Sequence, residues 1–139
     1  MRKIGSALLL VAVLVAPALA AGGNKGGQGG STLTLVVLGD PTLAGSTAAD
    51  PPHRGDAITF EVSTTATDQP FVNVQCHQGG AFVYDAWEGF YPAAWSDQIF
   101  TLSSNSWQSG AADCSARLVM WGRNGRQRTL TTMDFHVEA

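Results

Sequence analysis

Few residues in this chain have the types and spacing to do chemistry, and the most suggestive are adjacent. VNVQCHQGG, at 72–80, sets Cys76 beside His77 in a chain with two cysteines and three histidines. Such a pair could be a nucleophile with its base, two metal ligands, or scaffold. A copper site of the cupredoxin kind needs a histidine shortly after its cysteine, whereas the first histidine after Cys114 is His136. Zinc spacing of the Cys-x-x-Cys or His-x-x-x-His type is absent, and so is a Gly-x-Ser-x-Gly nucleophile elbow. Asp85 and Glu88 stand three apart among aromatics. Paired glycosidase carboxylates come from separate elements at a set separation, so these two are expected to be a solvated pair. Arg54-Gly55-Asp56 matches the tripeptide that integrins read, but three residues before a strand make an ordinary loop. No catalytic residue, metal or cofactor is expected, and His53, His77 and His136 are expected on the surface.

The elements that must position these residues are strands. Apolar residues recur with period two in short runs at 32–38, 57–63, 71–77, 81–87, 98–104, 112–121 and 128–137, and no sustained helical face interrupts them. Seven short strands in about a hundred residues predict an all-β, antiparallel two-sheet sandwich. Asn124-Gly125 is the preferred pair for a two-residue type I′ hairpin turn. That turn sets Cys114, Ala116, Leu118 and Met120 opposite Phe135, Met133, Thr131 and Thr129, so the apolar faces of the last two strands coincide. Cys76 shares its strand's apolar face with Val72 and Val74, and Cys114 is on the apolar face of its own. Two inward cysteines in an exported domain predict a disulfide, worth roughly 4 kcal/mol in the chain-entropy model. His77 then points to the other side of its strand.

Export is read from the first residues. Arg2 and Lys3, an apolar run over 4–16 and Pro17-Ala18-Leu19-Ala20 form a secretory signal with cleavage after Ala20. The run is short for a membrane span and no second one follows. Residues 21–30 hold six glycines and read as a flexible tether, leaving 31–139 as one domain. Without Arg2 and Lys3 the chain has six basic and eleven acidic residues, a net of −5. An acidic body of this kind argues against a nucleic-acid partner, which would need a broad basic face.

The strands around Cys76 and Cys114, with GAADCSARLVMW leading into a tight hairpin, resemble an immunoglobulin-like or fibronectin-type-III-like domain of bacterial exported proteins. The resemblance covers 32–139 and is architectural. It implies an immunoglobulin-like antiparallel β-sandwich of about seven strands. Ala112 stands where antibody-type domains have a tyrosine, and Cys76 falls on the third strand. The disulfide is therefore expected to join neighbouring strands of one sheet.

Two surfaces are candidates for binding. The hairpin register sets Val119 opposite Leu130, Trp121 opposite Arg128 and Arg123 opposite Arg126, with Trp121 and Arg128 placed for a cation–π pair. Val119, Leu130 and Trp121 would form an outward apolar stripe rimmed by Arg117, Arg123 and Arg128, unless a loop or the tether covers it. The second candidate, FVYDAWEGFYPAAW at 82–95, holds six of the twelve aromatics. Trp87, Phe90, Tyr91 and Trp95 would stack on sugar rings if exposed; alternatively Phe82, Tyr84, Trp87 and Trp95 fill the core. The expected function is non-catalytic binding of an extracellular protein or envelope component through the hairpin face. A carbohydrate-binding module using 82–95 and a self-associating element of a surface layer are the alternatives.

Overall fold

The computed structural model describes residues 30–40 and 51–139, so the expected signal and nearly all of the expected tether lie outside the described residues. Seven strands follow in order: β1 (Thr32–Gly39), β2 (Ala57–Ser63), β3 (Phe71–Gln78), β4 (Ala81–Gly89), β5 (Phe100–Thr101), β6 (Ala112–Trp121) and β7 (Gln127–Val137). They form two antiparallel sheets, β1-β2-β5 and β4-β3-β6-β7. The chain is an all-β sandwich. The run expected over 98–104 shortens to the two residues of β5.

Alternation makes the core. Val72, Val74 and Cys76 of β3 and Cys114, Ala116 and Leu118 of β6 turn inward and are all buried, as are Leu33, Ile58 and Phe60 of the smaller sheet. Phe60 joins the layers, its ring lying edge-on 5.7 Å from Phe100 and 6.4 Å from Phe135. Trp107 is fully buried under the approach to β6, and its indole N–H donates to the Gly110 carbonyl at 2.9 Å. Burial, followed by the charges of Glu88 and Asp85, pushes the Tyr84 phenol up to about 12.

Cys76 and Cys114 are directly paired across β3 and β6 and form a disulfide, with Cα atoms 4.1 Å apart. The bond is scaffold within one sheet, as expected. Arg54-Gly55-Asp56 is also scaffold: Arg54 Nε donates to the Trp107 carbonyl at 2.9 Å. Asp56 is buried and accepts the His53 amide at 2.7 Å.

The last hairpin departs from its expected register. The Gly125 amide donates to Gly122 and the Gly122 amide to Arg126, with Gly125 at φ 72° and Asn124 outside the left-handed region. This is a three-residue loop with glycine at its left-handed position, one residue longer than the type I′ turn. Trp121 therefore faces Gln127, Met120 faces Arg128 and Val119 faces Thr129. Leu130 is left over as a bulge, beyond which Leu118 to Cys114 pair as expected with Thr131 to Phe135. The two-residue glycine turn occurs instead at Gly79-Gly80, between β3 and β4, where both φ angles are positive.

Candidate functional site

With the inward residues of the four-stranded sheet committed to the core, its opposite face carries Phe71, Asn73, Gln75 and His77 of β3 in the middle. Register sets Trp87 and Asp85 of β4 on one side of Asn73 and Gln75, and Arg117 and Ser115 of β6 on the other. Each row of this outer face is therefore made of residues far apart in sequence.

At one end the face is aromatic. The Trp87 and Trp121 rings lie 6.3 Å apart at 30°. Their strands, β4 and β6, are both neighbours of β3, so their backbones are roughly 10 Å apart and the rings reach toward each other over β3. Trp87 is 39% and Trp121 49% exposed, whereas Val119, which shares the outward row of Phe71, is fully buried. Beside the pair runs a polar chain. Asn73, itself fully buried, donates through Nδ2 to Asp85 Oδ1 at 2.6 Å and to the Ala86 carbonyl at 3.1 Å. Its Oδ1 accepts from Arg117 Nη2 at 2.6 Å. Arg117 Nε is buried with no hydrogen-bond partner. A buried amide held between a carboxylate and a guanidinium is fixed in orientation, because two of its three bonds are strengthened by charge.

At the other end the face is open and titratable. His77, Asp113, Ser115, Asp134 and His136 line a depression of about 510 Å³. His136 Nδ1 and Asp113 Oδ1 are 2.7 Å apart, and this hydrogen bond raises the imidazole pKa above its ordinary value. The pair has the form of the orienting half of a hydrolase relay. The relay aspartate of that chemistry is buried, whereas the Asp113 side chain is 88% exposed. Among the described residues no group of three or more His, Cys, Asp or Glu side chains is placed to hold a metal ion. Asp85 and Glu88 point to opposite faces of β4: Asp85 bonds Asn73, while Glu88 accepts the Ser96 hydroxyl. They do not share a site.

The two surfaces expected from sequence thus meet. Trp121 from the hairpin and Trp87 from the aromatic segment belong to one face. Leu130 leaves it, because the bulge turns it into the core at 1% exposure. The register does not set Trp121 opposite Arg128: Arg128 is opposite Met120, and Trp121 is opposite Gln127. Arg123 lies in the turn rather than opposite Arg126, and both are exposed at the hairpin tip. Of the aromatic segment, Tyr84 is in the core, and Phe90 packs against it, stacked 6.4 Å from Phe100. Phe82 and Trp95 are exposed, and Tyr91 stands edge-on to Phe71 at 5.4 Å. The sequence signal missed altogether was Asn73: its polar alternation marks it as outward, but its burial comes from neighbours on two other strands. No family model matches the chain, and no curated protein or solved structure matches it either.

Proposed function

We propose that this chain is an exported, non-catalytic binding domain of immunoglobulin-like or fibronectin-type-III-like build. Its working surface is the aromatic end of the outer sheet face, and its partner is a neutral extracellular or envelope glycan. The observation that carries the reading is the Trp87–Trp121 pair, half-exposed beside an Asp85–Asn73–Arg117 chain whose central amide is buried. A pyranose ring presents C–H groups that stack on an indole face and hydroxyls that bond fixed polar groups at its edge. The acidic body, with nine carboxylates and only Arg54 between residues 40 and 114, disfavours a polyanion. Support for export comes from the disulfide and from the signal-like first twenty residues. Among the described residues no helix is long and apolar enough to cross a membrane.

The protein partner first expected from the hairpin stripe becomes the second reading. A stable protein interface buries about 800 Å² per side around an apolar centre, and Val119 and Leu130, the intended centre, are buried. What favours it still is the exposed pair Arg123 and Arg126 at the hairpin tip.

Depletion assays on chitin, cellulose and peptidoglycan separate the readings. The exported chain should bind at least one of them, with an affinity that high salt leaves unchanged. Trp87→Ala and Trp121→Ala should each weaken binding about tenfold or more, equivalent to ~1.4 kcal/mol, without unfolding the domain. Loss of binding in salt, or binding that survives both substitutions, would move the function to the arginines. Failure to bind any glycan would remove this reading.

A further inference from the structure

We infer that Trp95 is a further binding residue, and that the ligand is therefore a chain of sugar units rather than a single one; this rests on the glycan reading above. The argument begins at Gly89. It sits opposite Phe71 on the outward side of β4, two residues along the same face from Trp87, a step of roughly 7 Å. A Cβ at Gly89 would lie 2.8 Å from Ala94 Cβ and 2.9 Å from Tyr91 Cε1. Real side chains do not approach so closely, so glycine is what lets the turn after β4 fold down onto the outer face. Tyr91 closes the contact against the Phe71 ring. The turn thus forms a wall at the aromatic end, and Trp95 follows Ala94 on that wall.

Several contacts hold the wall. The Phe90 amide donates to the Pro70 carbonyl at 2.8 Å, and its ring packs against Phe60 and Phe100. The Ala94 amide donates to Tyr91 at 3.0 Å, and the Ser96 hydroxyl bonds Glu88. Gln98 takes φ 61°, uncommon for a residue other than glycine. It is kept there by the Thr59 hydroxyl on its carbonyl at 2.6 Å and by Ser96 Oγ on its amide at 3.0 Å. A backbone outlier persists where its surroundings over-determine it, and such places cluster at ligand clamps. Yet the largest side chain of the turn touches nothing: Trp95 is 105% exposed. Leaving an indole in water forfeits the transfer free energy that its burial would gain, and this turn holds it out on a fixed support.

One occupant fits. A second exposed aromatic, on a turn that packs against the residue two positions along the face from Trp87, would engage a ligand with repeating stacking faces. Glu88 and Asp97 flank the turn, so a repeat that carries negative charge is disfavoured. β-Linked chains of glucose or N-acetylglucosamine have that chemistry.

Calorimetry with cello-oligosaccharides and N-acetylglucosamine oligomers of increasing length tests the assignment on the exported chain. Affinity should rise about tenfold as the chain grows long enough to span both platforms. Trp95→Ala should bind the shortest productive oligomer as wild type does and lose that gain, while Trp95→Phe keeps part of it. Gly89→Ala, which displaces the wall, should lose the gain as Trp95→Ala does. Trp87→Ala should weaken every length. Length-independent binding, or Trp95→Ala binding all lengths as wild type, overturns this inference and leaves the glycan reading standing. If wild type binds no oligomer and no polymer, both fall. Trp95 is fully exposed, so its substitution leaves folding intact.

Discussion

The two ends of the outer face stand on the same four strands and obey the same alternation, but they are fixed by different means. At the aromatic end the polar groups are anchored beneath the surface: Asn73 is sealed, the exposed Asp85 and the partly buried Arg117 are tied to it, and the rings of Trp87 and Trp121 close over β3. At the other end the polar groups are the surface: Asp113 and His136 bond each other in open solvent, and order beneath them comes from the disulfide on the inward side of the neighbouring row. Hydrogen bonds removed from water hold a geometry, because breaking one strands a buried group. The same bonds in water exchange with solvent. A surface that presents aromatic rings at fixed positions needs the first kind of support.

Three measurements would break or sharpen this contrast. The largest effect is expected beneath the open end. Paired Cys76→Ala and Cys114→Ala substitution should lower the unfolding free energy by about 4 kcal/mol in urea titrations, the loop-entropy value for this 38-residue separation. A loss below about 1 kcal/mol would mean that this end does not depend on its covalent tie. Next, Asn73→Ala should cost about 3 kcal/mol, since it leaves a carboxylate and a partly buried guanidinium without their common partner. Gln75→Ala, one outward position along β3, should change stability by less than about 0.5 kcal/mol. Equal costs at the two positions would abolish the distinction between the ends.

The smallest effect is the one that pH reads. The His136 pKa is raised, first by its hydrogen bond to Asp113 and further by the charges of Asp113 and Glu138, against a lowering from desolvation. A base whose folded pKa lies above its unfolded value binds its proton more tightly when folded. The stability it adds is complete below about pH 6.5 and is lost as pH rises through the folded value. Proton NMR should therefore place the His136 midpoint above the ordinary histidine value and show it falling in Asp113→Asn. Trp87 and Trp121 fluorescence should stay level across the same window. A coincident change in both would show that the two ends are coupled.

Much of the sandwich was legible in the sequence, because period-two burial is written locally: six of the seven runs end within two residues of their strands, and Cys76 and Cys114 declare their faces by their neighbours. The last turn was misread for a definite reason. Asn-Gly serves both a two-residue I′ turn and a longer loop in which glycine alone takes the left-handed position, and only Gly125 has a positive φ here. The resulting shift is repaired by Leu130, and alternation has no way to announce a bulge in advance. The proposed binding face was divided in the sequence because Trp87 and Trp121 meet only once β3 lies between their strands. Residue 73 gave no sign of burial, since its cover is supplied from β4 and β6.

The placement of the disulfide has a mechanical consequence. It joins two adjacent strands of one sheet, across a separation of 38 residues. Under tension applied along the chain, β1, β2 and β7 can be stripped away, but the stretch from Cys76 to Cys114 cannot lengthen. At about 3.4 Å per residue, roughly 130 Å of contour is withheld from extension. Trp87 and Trp95 lie inside that closed stretch and Trp121 just outside it. In a chain pulled from its two ends the load crosses the Cys76–Cys114 bond, so the segment that carries Trp87 and Trp95 is bypassed, whereas Trp121 stands on the part that bears the load.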